Sequence, residues 1–226
     1  MCCIGKEVPM QLRNIAIFGV GGFGREVLTL IQDINRQEPQ YNIVGFFDDG
    51  HPKGEIINGY PTLGGVDELN IWKTSISIAV AIGTPGIKKK IIGNIHNPLV
   101  SFPTLIHPTV LIGDTNYVKI GQGCIVCAEN ILTTNIEIRD FVILNLACTV
   151  GHDTVINDFA AFMPSCNISG EVIIGEGVYV GTGVKIINQL EIGENTIIGA
   201  GAVVAKSLPA NCTAVGVPAK VIKVNK

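Results

Sequence analysis

A histidine beside a carboxylate, preceded by glycine, is a compact unit for moving protons, and this chain carries one in Gly151-His152-Asp153. Imidazole titrates near neutral pH, so His152 can take a proton from an attacking amine or hydroxyl. Asp153 can hold the ring in the tautomer that leaves the other nitrogen free. The remaining histidines offer less: His51 and His96 fall in expected loops, and His107 precedes Pro108. A second set lies near the N-terminus, where Gly19, Gly21, Gly22 and Gly24 form GxGxxG, Asp48 and Asp49 follow about two dozen residues later, and Gly83 closes another apolar run. Glycines at this spacing let phosphate approach the amides at a helix start, and Asp48 or Asp49 can accept hydrogen bonds from a base or ribose. The pair Cys124 and Cys127 forms a lone CxxC with no second one to complete a metal site, so both are expected to be small core fillers, with no metal bound.

The element that must carry His152 is a six-residue repeat. Every sixth residue from Ile120 to Val204 is apolar, fifteen positions in all, in a chain that is 47% hydrophobic. Chance would produce that on the order of once in 10⁵ trials, and neither a 3.6- nor a 2.0-residue period explains it. A solenoid does. Small residues (Cys124, Cys148, Thr154, Ala160, Cys166, Thr196, Ala202) stand four places after the key position, as a narrow interior demands. Gly follows the key residue at 121, 151, 175, 181, 193 and 199, where a corner needs a positive φ or a close backbone approach. Ile106 and Ile112 keep the period upstream, with a two-residue insertion around Asn116 to Lys119. His152 then falls at a corner, its ring outward, with Val150 and Val155 feeding the core. Thr134 and Gly170 are its neighbours one coil before and after, and the bare Gly170 is expected to leave room beside the imidazole for a thioester. Cys148 and Cys166, eighteen residues apart, are expected to stack inside.

The glycine motif needs a strand, a turn and a helix. Asn14 to Val20 reads as a buried strand, Phe23 to Asn35 as a helix, Ile43 to Phe47 and Ile76 to Ile82 as further strands, and the stretch near Ile87 to Ile95 as a helix. These βαβ elements place Gly19 to Gly24, Asp48, Asp49 and Gly83 together at the strands' carboxyl ends. Roughly 90 residues supply half of a dinucleotide fold, so a mononucleotide or nucleotide-sugar fits better than a nicotinamide cofactor. Trp72, the single tryptophan, is expected to pack rather than stack on a ligand. Two domains follow: 11–104, Rossmann-like and nucleotide-sugar-binding, and 105–226, the repeat.

Bulk properties narrow the classes. Sixteen basic against nineteen acidic side chains, with no run of five like charges, argue against a nucleic-acid partner. No stretch reaches the roughly 18 apolar residues of a membrane span, and Met1 to Met10 lacks the apolar core of a signal peptide. The chain is expected to be cytoplasmic, with its seven cysteines reduced.

The apolar-Gly hexads, with Val204-Ala205-Lys206-Ser207-Leu208-Pro209 and Gly216-Val217-Pro218-Ala219-Lys220 at the end, resemble the hexapeptide-repeat acyltransferases. Glycine loop, acidic strand end and hexads in this order are similar to the branch holding sialic acid O-acetyltransferases and nucleotide-aminosugar N-acetyltransferases. That resemblance implies a left-handed parallel β-helix with three hexads per coil, hence five coils for fifteen hexads, assembled as a homotrimer with sites between neighbouring coils. It implies acetyl-CoA as the acyl donor and His152 as the base, with Asp153 beside it and Asp158 following. The pantetheine arm is implied to pass Gly170, Gly181, Thr182 and Ala200, with Lys220 near the nucleotide end of CoA. Gly21, Gly22, Phe23, Asp48, Asp49 and Gly83 are implied to line the sugar-nucleotide site. Relatives often have histidine where this chain has Phe23 and Ala161, and the latter histidine contacts the acetyl carbonyl.

The expected reaction is acetyl transfer from acetyl-CoA to an amine on a nucleotide-linked aminosugar by direct attack on the thioester. O-acetylation of sialic acid or another small hydroxyl acceptor, and a non-catalytic nucleotide-sugar-binding protein, are the alternatives.

Overall fold

A computed structural model describes residues 12–224; Cys2, Cys3 and the Met1 to Met10 stretch lie outside the described residues. The chain opens with a four-stranded parallel sheet, β1 (Arg13–Phe18), β2 (Tyr41–Phe47), β3 (Ile76–Val80) and β4 (Val100–Ser101), in the spatial order β2-β1-β3-β4. Helix α1 (Gly22–Gln37) follows β1 directly and buries Val27, Leu28, Ile31 and Ile34, a spacing that lines up one face. It ends at Gln37 because Glu38, the residue preceding Pro39, is pushed out of the helical region into an extended conformation. A short α2 (Val66–Asn70) precedes β3, and α3 (Pro85–Asn94), with Pro85 in its first turn, connects β3 to β4.

From Leu105 onward the chain winds as a three-sided parallel β-helix of two- and three-residue strands. Side one begins at Leu105–Ile106, side two at Leu111–Ile112 and side three at Val118–Ile120. Each key apolar residue pairs with the one eighteen residues on, as Leu132 with Val150 and Val150 with Ile168. The first coil is longer. Ile106 pairs with Val126 and Ile112 with Leu132, twenty residues apart, whereas Ile120 pairs with Ile138 at eighteen, which localises the insertion between Ile112 and Ile120. Those two early hexads and a closing strand, Cys212–Val215, extend the five coils expected from fifteen hexads to about six. A strand at Lys220–Val224 adds antiparallel to the end of side one.

The interior is what the small-residue pattern requires: Cys124, Cys148, Thr154, Ala160, Cys166, Thr196 and Ala202 all have no exposure, beside fully buried Ile156, Phe162, Ile174 and Val180. Burying each such large aliphatic contributes roughly 1.5–3 kcal/mol. Val155, expected to feed the core, does not; inward positions are the key residue and the fourth after it, so Thr154 and Ile156 point in and Val155 is half-exposed.

Of the two roles expected of the repeated glycines, positive φ falls to other residues. Every sixth residue from Gly123 to Gly201 has φ between 53° and 76°, and most of these residues are not glycine. Their amides donate to the preceding coil, as Asp153 to the Thr134 carbonyl at 3.2 Å and Glu171 to that of His152 at 2.8 Å. The repeated glycines sit two residues earlier for another reason: a Cβ at Gly151 would lie 2.6 Å from the Gly170 amide nitrogen, and one at Gly181 the same distance from that of Ala200. They permit close stacking of coils.

The α/β sheet rests on side one. Residues of β1 and α1 share an apolar cluster with Leu105, Ile125, Ile143 and Ala161, which point outward from that side. Lys88 of α3 is 1% exposed and donates to the Phe141 carbonyl across the same boundary. Burial pulls its amine down to about 7, against an opposing pull from the Cys124 thiol.

Candidate active site

His152 occupies the corner between side two, at Thr149–Val150, and side three, at Val155–Ile156. Its side chain is 56% exposed and its Nδ1 lies 2.8 Å from Asp153 Oδ2. A carboxylate in that position favours the proton on Nδ1, which leaves Nε2 with its lone pair. The other carboxylate oxygen, Oδ1, accepts from Asn135 Nδ2 at 3.0 Å. His152 first and Asn135 second hold the Asp153 carboxyl below its ordinary range. The bare Gly170 serves the ring itself: a Cβ there would be 2.6 Å from both Cε1 and Nε2 of His152. The space that sequence reasoning reserved for a thioester is therefore occupied by imidazole.

The other residues expected along a pantetheine arm lie elsewhere. Gly181 and Thr182 follow Tyr179–Val180, and Ala200 follows Ile197–Ile198, so all three form the corner between sides one and two. Thr182 and Ala200 are exposed in one column. Lys220 is exposed opposite Val215 at the end of side one. Gly170 thus goes with His152 and Asp153, and Gly181, Thr182 and Ala200 go with another edge of the same prism.

That other edge is where the glycine loop comes down. A Cβ at Gly83 would sit 3.8 Å from Met163 Cε, which precedes Gly181 in the corner column, and Phe23 packs half-buried in the cluster that includes Met163, Tyr179 and Ala161. Ala161 is fully buried on the outer face of side one. Gly24 fits α1 against β1, because a Cβ would come within 1.9 Å of the Gly19 carbonyl oxygen. Gly21 and Gly22 differ: a Cβ on either meets nothing within 4 Å, so the start of α1 faces open space. The first amides of a helix carry partial positive charge suited to phosphate.

The two aspartates organise this loop. Asp48 Oδ2 accepts from the Val20 amide at 3.0 Å, and Oδ1 accepts from Gly50 at 2.8 Å and faces His51 Nδ1 at 3.0 Å. Partial burial, the largest single influence, pushes this carboxyl up. Hydrogen bonds from His51, Val20 and Gly50 outweigh it and leave the group below its ordinary value. Asp49 Oδ1 caps α2 through the Val66 amide at 2.8 Å. Both oxygens of Asp48 and one of Asp49 are thus engaged within the protein, where base or ribose contacts were expected.

Residues 14–95 match the PglD N-terminal domain, and residues 171–206 match the bacterial transferase hexapeptide (six repeats). The chain is 32% identical over 140 residues to GDP-perosamine N-acetyltransferase of Escherichia coli O157:H7, a match spanning 62% of this chain and 62% of that enzyme. The acetyltransferase domain of PglB from Neisseria gonorrhoeae FA1090, solved in complex with acetyl coenzyme A, superposes with a TM-score of 0.84 at 33% identity over 94% of this chain and all of the domain. The chain belongs to the hexapeptide-repeat acyltransferases. PerB from Caulobacter crescentus, solved with CoA and GDP-perosamine, is similar at a TM-score of 0.83 and 26% identity, covering 94% of this chain and 99% of PerB.

The cysteines that the sequence singled out are buried in this hexapeptide acyltransferase. Cys124 points into the β-helix core and Cys127 into the cluster beneath α1, so the CxxC thiols do not share a site, and burial pushes each up to about 12. Cys148 and Cys166 stack in the core. Trp72 packs edge-on against Phe47 with ring centres 5.6 Å apart. Among the described residues no helix is long and apolar enough to cross a membrane.

Sequence reasoning missed two partners, Asn135 and His51. Asn135 stands eighteen residues before Asp153, so the repeat itself carried the signal. His51 stands three residues after Asp48, a spacing without meaning until the turn is formed.

Proposed function

We propose that this chain is a cytoplasmic, acetyl-CoA-dependent N-acetyltransferase acting on the amine of a nucleotide-linked aminosugar. The observation that carries the reading is the His152–Asp153 contact, which leaves Nε2 unpaired on a half-exposed imidazole at a β-helix corner. The acceptor amine attacks the thioester carbonyl carbon while His152 Nε2 takes the proton from nitrogen. The carbon–sulfur bond breaks and the thiolate leaves, receiving that proton. Asp153 holds the ring and the resulting imidazolium. The open start of α1, with Gly21, Gly22 and Phe23, receives the nucleotide phosphates, and Asp48, Asp49 and Gly83 shape the rest of that pocket.

Gly170, Gly181, Thr182, Ala200 and Lys220 are assigned to the donor. Because Gly170 lies on one corner and Gly181, Thr182 and Ala200 on another, with His152 on the first and the glycine loop above the second, the reading requires two chains. In a homotrimer, the corner with His152 on one chain faces the corner with Gly181 and the glycine loop of its neighbour. Relatives that bear N-acetyltransferase names or were solved with CoA and GDP-perosamine support the donor and acceptor classes.

Release of CoA thiol from acetyl-CoA in the presence of GDP-perosamine and a panel of UDP-linked aminosugars tests the reading. His152→Ala should lower turnover by at least about a hundredfold with little change in Tm. Unchanged turnover rejects His152 as the base, and activity confined to hydroxyl acceptors rejects N-acetylation.

A further inference from the structure

The corner column that contains Asp153 reads Asn135, Asp153, Glu171, Gln189 on successive coils, each residue at positive φ. Its two carboxylates are adjacent, and each is held on its far side by an amide: Asn135 Nδ2 donates to Asp153 Oδ1 at 3.0 Å, and Gln189 Nε2 donates to Glu171 Oε2 at 3.0 Å. Neighbouring coils are about 4.8 Å apart, so the two like charges repel, and the amides draw them in opposite directions. Pinning Oδ1 from below leaves Oδ2 aimed at His152 Nδ1. The alternative for a loose carboxylate is close at hand. Asp153 borders a groove of about 400 Å³ that is also lined by Lys119, Asn135 and Glu137, so a carboxylate released by Asn135 has open space to turn into.

From this geometry we infer that Asn135 is a positioning residue: it aims Asp153 at the imidazole and so selects the Nδ1–H tautomer that frees Nε2. The inference rests on the reading of His152 as the base, but its test does not need an acceptor. ¹⁵N-histidine spectra at pH 8 report which ring nitrogen carries the proton, and the His152 signals are those lost in His152→Ala. Asn135→Gly removes the amide while accepting the corner's positive φ, and Asn135→Asp keeps the shape while replacing donor by acceptor.

Both variants should lower the ratio of Nδ1–H to Nε2–H at His152 by roughly threefold, within the range of exposed charge-assisted contacts. Asp153→Asn should lower it at least as much, and adding Asn135→Gly to Asp153→Asn should change it no further, since Asn135 acts through Asp153. A wild-type ratio in both Asn135 variants, or an equal change in both Asp153 backgrounds, overturns the inference. Unchanged turnover in His152→Ala would instead overturn the function and leave the tautomer result standing.

Discussion

His152 and His51 face aspartates at 2.8 and 3.0 Å, yet the two carboxylates are used differently. Asp153 gives one oxygen to the imidazole and the other to a side-chain amide on the coil below. It makes the histidine the end of a chain of contacts that opens on solvent. Asp48 gives its oxygens to the Val20 and Gly50 amides and receives His51 as a further partner, so that pair closes a turn onto the glycine loop. The pairing alone says little about function. What decides it is where the carboxylate's remaining hydrogen bonds go.

The sharpest way to break this contrast is to remove each ring. His152→Ala should abolish at least 99% of turnover, about a hundredfold loss, while His51→Ala should change it by less than roughly threefold; equal losses would erase the distinction. Next comes Gly170→Ala, whose methyl must displace the imidazole and should cost roughly tenfold in kcat. Asp153→Asn should cost about tenfold in kcat and leave Tm unchanged, whereas Asp48→Asn should lower Tm by several degrees, by loss of hydrogen bonds to loop amides.

The smallest effect is the pH dependence of that last difference. Asp48 is held below its ordinary value, so its contribution is complete above the unfolded carboxyl's pKa of about 3.9 and fades as pH falls through the lower folded value. Thermal melts should therefore show wild type and Asp48→Asn converging in that acidic window and separated at pH 7. A constant gap would mean that the loop is held by something other than the charged carboxylate.

The same two regions explain what could be read before folding. In the β-helix every interior position is set by a neighbour eighteen residues away. The column of Cys148 and Cys166, the outward ring of His152 and its place one coil before Gly170 were therefore legible from the period, whereas the close approach of ring and glycine, which leaves no room there for a thioester, was not. Val155 was misplaced because the period marks the key residue but not which of the flanking positions turns inward. The period could not choose between the two roles open to the repeated glycines, positive φ or close approach, for a related reason. Glycine marks where coils touch, while the left-handed corners are held by amide-to-carbonyl bonds at residues as unlike as Phe141, Asp153 and Ser165.

In the α/β region the strand, glycine turn and helix were legible. The partners of Asp48 and Asp49 were not, because amides of Val20, Gly50 and Val66 meet them only once unrelated turns converge. The division between two corners of the residues proposed for donor and base was likewise hidden, since a list of positions does not say which edge of a prism each occupies.

Co-expression of two inactive chains tests that division most directly. One chain carries His152→Ala. The other carries Gly22→Asp, which puts a negative charge in the open space at the start of α1 where the nucleotide phosphates are assigned. Each alone should be inactive; mixed trimers should recover acetyl transfer, because some sites then join an intact His152 to a neighbour's intact loop. Mixed trimers that form and stay inactive would contradict a site shared between chains.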